Sequence, residues 1–339
     1  MQQRGFPQRL SDAFVSCFDM YIVGFLDWFA QMIGPALVVF ALVIIAACTY
    51  VFFSAVVAYH DWPWFPKVGT ISTGLFFLFN SLYNYYKCVT TSPGYPPTSG
   101  EVEEGGESSA LSNKLWNNPS TPDDEDEIRR VRYKQRTYGV CGKCERIRPP
   151  RTHHCSVCKC CVLKMDHHCP WIYNCVGYRN QKYFYLFLLH VFLVDVFFVS
   201  TCWAPAMSAF RAPMADPARP WLIMTFLTAG ILCIAIGVFL GFHTYLILRN
   251  MTTIEFMISD RDVRDRSFGR FVKNPFDRGY RENWESVFGP DVGAFWTFKW
   301  ALSFLHKDEI NEGTIPNFRA PALKGETYSI RSDLVLPKE

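Results

Sequence analysis

The chain has 339 residues, half of them apolar and 17% aromatic, with 13 cysteines and a net charge of only +3. So small a charge argues against a nucleic-acid partner, and the length allows one or two domains. The apolar residues gather into long uncharged runs, which argues for a membrane protein over a soluble one.

Residues 1–32 read as a cytosolic N-terminus. Phe14, Phe18, Tyr21, Ile22 and Phe25 recur at roughly helical spacing, which fits a helix lying on a membrane face or a frayed terminus. Asp12, Asp19 and Asp27, with no basic n-region ahead of an apolar run, argue against a cleavable signal peptide. Residues 33–90 supply two spanning helices. No charge falls between Ile33 and Tyr59, and a second apolar run covers Val68 to Tyr86. Trp62 and Trp64, in the turn between them, suit an interface. Asn80 and Asn84, one turn apart, either bond a neighbouring helix or meet a ligand.

Thr91-Ser-Pro-Gly-Tyr-Pro-Pro97 ends the second helix and opens a flexible cytosolic linker over 91–136. That linker is rich in Ser, Gly, Asn and acids and then basic from Arg129 to Arg136. Residues 137–182 hold a cysteine-rich domain, and 183–248 the third and fourth spans, Tyr183–Met207 and Trp221–Leu248. Asp195 interrupts the third as an intramembrane polar site or as a residue bonded within the bundle. His243, near the end of the fourth, reads as a packing histidine. The region 249–339 is cytosolic in character. It carries Thr252-Thr-Ile-Glu255, an Asn274-Pro-Phe segment, and an apolar stretch from Ala294 to Leu305 that is too short to span.

Lysine and arginine set the orientation. About fifteen lie between spans two and three and about fourteen after span four, against three in the two short loops. The positive-inside rule therefore puts both termini and the cysteine-rich segment in the cytosol. The expected fold is an all-α integral membrane protein, four transmembrane helices with a small two-zinc cytosolic cysteine-rich domain between helices 2 and 3.

Eight cysteines and four histidines crowd between Cys141 and Cys175. In a reducing compartment such a cluster points to metal or catalysis, not to disulfides. Cys141-x2-Cys144 and Cys155-x2-Cys158 are two zinc half-sites, and metal would supply the folding energy that so small a core cannot. Two zincs need eight ligands and twelve candidates are present. The surplus falls near Asp166-His167-His168-Cys169. A cysteine nucleophile needs a base, and the base a carboxylate to orient it. The spacing alone fits that unit or a wholly metal-binding one.

The segment resembles the cysteine-rich domain of the DHHC-type protein S-acyltransferases. The resemblance rests on Cys141-x2-Cys144, Arg151-Thr-His-His-Cys155, Cys158, Cys161-Val-Leu-Lys-Met-Asp-His-His-Cys-Pro-Trp171, Asn174-Cys-Val-Gly177 and Asn180. Ser92-Pro-Gly94 sits where the family has Asp-Pro-Gly, Thr252-Thr-Ile-Glu255 matches its Thr-Thr-x-Glu motif, and Asn274–Trp284 is similar to its C-terminal motif. Tyr173 stands where asparagine is frequent and reads as tolerated variation.

The resemblance implies one zinc on Cys141, Cys144, His154 and Cys161 and another on Cys155, Cys158, His168 and Cys175. His153 and Cys160 are left over. It implies Cys169 as nucleophile, His167 as base and Asp166 as its orienting partner. Trp171 would meet the acyl chain, with Thr253, Glu255 and Asn274 as structural support. A long-chain acyl group, typically palmitoyl, would pass from acyl-CoA to Cys169 and then to cysteines of membrane-associated proteins. Arg148, Arg151 and Lys182 would meet CoA phosphates or anionic lipid. The expected setting is an endomembrane, Golgi or ER first and vacuole or plasma membrane next, with an accessory subunit or homo-oligomer left open. The rival readings are a non-catalytic zinc scaffold recruiting proteins, a RING-like ubiquitin ligase and a zinc transporter.

Overall fold

The computed structural model describes residues 6–57, 61–96, 139–144, 146–148, 151–211, 219–264, 274 and 276–289. Most of the expected linker and the apolar stretch 294–305 lie outside the described residues.

Helix α1 runs unbroken over Phe6–Val51 and ends in a π-helical turn, Phe52–Val57. The boundary expected at residues 32 and 33 therefore falls inside one helix. The apolar run from Ile33 simply extends a helix already under way. Helix α2 covers Trp64–Thr90, α3 Gln181–Arg211 and α4 Arg219–Leu248. Two short helices follow, α5 (Thr253–Arg264) and α6 (Tyr280–Phe288).

Among the described residues, three helical stretches are long and apolar enough to cross a membrane: Gly24–Ser54, Gln181–Arg211 and Arg219–Leu248. At 27 residues α2 has the length, but it carries Asn80, Ser81 and Asn84, all buried. The Asn80 amide nitrogen donates to the Phe76 carbonyl of its own helix at 2.8 Å, and Asn84 does the same to Asn80 at 2.8 Å. One N–H of each amide closes onto a carbonyl one turn back, the nearest acceptor for a polar side chain inside an apolar bundle.

Helix α3 is the central member, packed along α2 on one side and α4 on the other. At one end, Val51 and Phe52 meet Phe198, Cys202 and Ala206 of α3 and Phe226 and Ala229 of α4. At the opposite end, Tyr85 and Cys88 of α2 and Tyr183, Phe184 and Leu188 of α3 close over Cys169, Ile172 and Val176. Outward-facing Ile231, Ile234 and Val238 of α4 remain about 70% exposed, an apolar stripe suited to lipid.

The cysteine-rich segment departs from the all-α expectation. It is three antiparallel hairpins in series: β1 (Gly139–Val140) with β2 (Ile147–Arg148), β3 (His153–Cys155) with β4 (Cys160–Val162), and β5 (His167–Cys169) with β6 (Asn174–Val176). Strands of two or three residues carry no period-2 pattern, so sequence periodicity had nothing to detect.

The segment is fastened to the bundle through Ser92-Pro93-Gly94. The Gly94 carbonyl accepts from the Leu163 N–H at 2.9 Å and the Pro93 carbonyl from the Arg179 N–H at 3.1 Å. The Gly94 N–H donates to the Ser92 hydroxyl at 3.2 Å, so serine does the turn-bridging expected of an aspartate there. Gly177 lies under this turn. A Cβ on it would come within 3 Å of the Val162 side chain and of the Pro93 and Leu163 carbonyls.

Candidate acyl-transfer site

The donor atoms of Cys141, Cys144, His154 and Cys161 lie within 4.8 Å of one another, as do those of Cys155, Cys158, His168 and Cys175. In the second group the sulfurs of Cys155, Cys158 and Cys175 stand 3.7, 3.3 and 3.6 Å from His168 Nδ1, and Cys158 and Cys175 are 3.5 Å apart. In the first, Cys141 is 3.6 Å from His154 Nδ1, and Cys144 is 3.3 Å from Cys161. A tetrahedral zinc with Zn–S near 2.3 Å and Zn–N near 2.0 Å sets its ligand atoms roughly 3.5–3.8 Å apart. Both groups fit that cage, and the described cysteines are all free thiols.

The two sites are one pattern repeated. Cys141 corresponds to Cys155, Cys144 to Cys158, His154 to His168 and Cys161 to Cys175, each pair 14 residues apart. Each site takes a Cys-x2-Cys from one hairpin and a cross-strand His–Cys pair from the next, His154 opposite Cys161 and His168 opposite Cys175. The metal sites thus link hairpin one to two and two to three. His153 occupies in β3 the place that His167 has in β5, and neither it nor Cys160 belongs to a cage.

The third hairpin presents Asp166, His167 and Cys169. Asp166 is buried. Its Oδ2 accepts from His167 Nδ1 at 2.6 Å and from the Thr253 hydroxyl at 2.8 Å, and its Oδ1 accepts from the Thr253 N–H at 2.9 Å. Thr253 begins α5, so the carboxylate sits on free N–H groups at a helix N-terminus. Burial alone would raise the Asp166 carboxyl, but the bond and charge of His167 and the Thr253 N–H outweigh it and hold it at about 2. Burial alone would lower the His167 imidazole, but its hydrogen bonds with Asp166 and Cys169, and their charges, raise it to about 9.

Cys169 is 7% exposed, beneath Tyr85, Cys88, Tyr183 and Phe184. After it the chain makes a 3-10 turn over Pro170–Ile172. Tyr85 of α2 donates its hydroxyl to the Trp171 carbonyl at 2.8 Å, and Trp171 remains 49% exposed two residues after Cys169. Asn174 donates to the Cys88 and Thr91 carbonyls, each at 3.0 Å, tying the end of α2 to the same hairpin. Asn180 clasps the following loop, donating to the Cys175 carbonyl and accepting from the Gly177 N–H, both at 2.8 Å.

Support from the tail converges on Arg151. Its guanidinium forms a two-pronged pair with Glu255, 2.7 and 2.8 Å, and donates to Asn250 Oδ1 at 2.9 Å. It also lies over the Phe276 ring. Glu255 accepts in turn from the Thr252 N–H at 2.9 Å while its own N–H donates to the Thr252 hydroxyl at 3.2 Å, a capping box opening α5. Asn274 donates to the Arg249 and Asn250 carbonyls. Arg151, expected at CoA phosphates or lipid, is therefore a buried latch between the second hairpin and the tail. Lys164 is also buried, and burial together with the Arg151 charge lowers it to about 7 against Glu255 and Asp166.

With this geometry in view, the comparisons with known proteins are decisive. Residues 134–260 match the family model described as DHHC palmitoyltransferase. The chain is 30% identical over 309 residues to "Probable protein S-acyltransferase 12" of Arabidopsis thaliana, covering 87% of this chain and 94% of that one. It is 37% identical over 265 residues to "Probable protein S-acyltransferase 14" of the same plant, covering 76% of each.

The chain belongs to the DHHC palmitoyltransferase family.

It is also 36% identical over 159 residues to human "Palmitoyltransferase ZDHHC2", across 46% of this chain and 41% of that one. As a DHHC protein it is a protein S-acyltransferase with apolar membrane helices and two cysteine-histidine clusters suited to zinc. Sequence reading left two neighbours of this DHHC site without a role. Tyr85 carried no signal beyond being a polar aromatic at a helix end, and His243 was read as packing. Both reach the site across more than 70 residues of sequence, a distance that local motifs do not report.

Proposed function

We propose that this enzyme carries a long-chain acyl group, typically palmitoyl, from acyl-CoA to Cys169 and then to cysteines of membrane-associated proteins. The observation that carries this reading is the run from Thr253 through Asp166 and His167 to Cys169. A carboxylate fixed from behind orients an imidazole that Cys169, two residues on, helps to raise.

His167 takes the Cys169 proton, and the thiolate sulfur attacks the thioester carbonyl. The new S–C bond forms, the bond to the CoA sulfur breaks, and His167 returns the proton to that sulfur. In the second half an acceptor thiol gives its proton to His167, attacks the Cys169 thioester, and releases Cys169. Thioester replaces thioester, so positioning and proton handling are the main tasks. Zinc at the two cages would supply folding energy to the hairpins and take no part in either half-reaction.

The acyl chain is costly to expose, about 0.8 kcal/mol per CH₂. Cys169 packs against the end of α2 and the start of α3, and Trp171 beside it is the residue assigned to the chain near the thioester. Thr253, Glu255 and Asn274 act as supports through the bonds described above. We assign α2 as a fourth span, supported by its packing along α3 and by exposed Trp64 at its start, like exposed Trp221 at the start of α4. The domain limits expected from sequence, the cytosolic hairpins and an endomembrane setting belong to the same proposal, as do acyl-CoA and the bilayer as partners.

The test is self-acylation. Full-length protein in detergent is given labelled palmitoyl-CoA, and neutral hydroxylamine is used to release label held as thioester. Label on the wild type, absent from Cys169→Ser with both zincs retained, is the expected result. No label on a zinc-loaded wild type would favour the scaffold reading. Label persisting in Cys169→Ser would move the nucleophile elsewhere.

A further inference from the structure

His243 stands on α4 and is 3% exposed. Its ring is enclosed by Phe239, Phe184 and Phe242, with centroids at 4.5, 5.2 and 5.7 Å, and by His167 at 5.8 Å. In an aromatic nest like this a phenylalanine would pack at no polar cost. A histidine instead buries Nε2 with no hydrogen-bond partner among the described residues. Such groups are rare and call for an explanation.

The surroundings supply one. A ring nitrogen of His243 lies within 4.8 Å of both an Asp166 oxygen and a His167 nitrogen. No direct bond is made, but a gap of this size fits one bridging water. Asp166 accepts three bonds, from Thr253 N, Thr253 Oγ1 and His167 Nδ1. A carboxylate has about four acceptor positions, so one is left. A zinc held jointly by Asp166 Oδ2 and His167 Nδ1 does not fit the spacing. Asp166 Oδ2 and His167 Nδ1 are 2.6 Å apart, whereas two ligands of one zinc stand roughly 3.3 Å apart.

We propose that His243 is a positioning residue for acyl transfer, donating through one water to the remaining acceptor position of Asp166 and so holding the Asp166–His167 pair in its working orientation. This rests on the reading of Cys169 as nucleophile and His167 as its base. The aromatic walls fix the His243 ring, and the nitrogen supplies what a purely apolar wall would lack.

The experiment compares His243→Phe and His243→Gln with wild type in the full-length, zinc-loaded protein. It reads kcat and KM for palmitoyl-CoA, and the rate at which iodoacetamide alkylates Cys169, followed by peptide mass spectrometry. His243→Phe should lower kcat and the alkylation rate about tenfold, with KM unchanged. His243→Gln, which keeps an N–H, should stay within about threefold of wild type. Wild-type rates in the phenylalanine variant, or equal slowing in both, overturn the proposal. If the phenylalanine variant does not keep its zinc, the glutamine variant decides alone: retained rate supports the donor role, and slowing overturns it. Cys169→Ser runs alongside. Failure of the wild type to label at Cys169 would sink the underlying site assignment, whereas normal labelling with an indifferent His243→Phe sinks only this inference.

Discussion

At the scale of single residues, the site is held by charges taken out of water and given partners. Arg151 and Glu255 satisfy each other in a two-pronged pair, but Lys164 has no such fork. Its ammonium is lowered to about 7 in the folded protein, against an ordinary 10.5. Below pH 7 the folded state must hold that buried charge, and the cost is complete. Between about 7 and 10.5 the unfolded chain binds a proton that the folded one does not, so the cost fades as pH rises. Lys164→Met should therefore raise Tm by a few degrees at pH 6 and by almost nothing near pH 10. A Tm difference that stays constant across this range would show that Lys164 is not a buried charge. The motif residues were legible in the sequence because their chemistry is local: a Cys-x2-Cys and an Asp-His-His-Cys name their own spacing. The latch on Arg151 was not, since its partners lie about 100 residues on and any exposed arginine would look the same on paper.

At the scale of elements, the position of Tyr173 gains a physical account. It closes the turn between β5 and β6 with φ 48°, and Lys159 closes the equivalent turn of the preceding hairpin with φ 55°. Asparagine tolerates that left-handed region, which explains its frequency there, and tyrosine is held at a cost of about 1–2 kcal/mol. The compensation comes from α1. Gly34 gives the Tyr173 ring a seat so close that a Cβ would overlap it. Nearby, Asp27 accepts from the Ser156 hydroxyl and Gln31 donates to the Val157 carbonyl, so α1 braces the second and third hairpins together. Gly34→Ala should slow acyl loading and lower Tm, and adding Tyr173→Asn should restore much of both. If Gly34→Ala alone leaves loading and Tm unchanged, the brace has no mechanical role. The helices themselves were visible as apolar runs. The continuity of α1 was not, because polar residues in its first half interrupt the apolar run by which a span is recognised.

At the scale of the whole molecule, the two cages suited to zinc are arranged in series. The first joins the hairpin nearest the linker to the middle one, and the second joins the middle one to the hairpin that carries Cys169. Losing one ligand should therefore have unequal effects. Cys158→Ser should abolish self-acylation, while Cys144→Ser should keep a residual rate about tenfold or more higher, although each variant loses about one zinc per chain. Equal loss of activity in the two would mean that the hairpins fold as a single unit. The packing of Trp284 and Phe288 of α6 on Tyr185 and Ile247 attaches the tail to the bundle end that carries the hairpins.

The 14-residue spacing also bears on how the proposed nucleophile stays free beside two cages suited to zinc. Shifted once more, the pattern puts Cys169 in the place of Cys155 and asks for further ligands at 172, 182 and 189. Those places hold Ile172, Lys182 and Leu189. Cys169, the proposed nucleophile, is thus a thiol in chelating register whose companions are missing, and fully buried Ile172 stands where the first of them would be. A single exchange to cysteine at that position would write a third Cys-x2-Cys and, on the proposed reading, set the acyl-accepting sulfur in competition with the two cages for zinc.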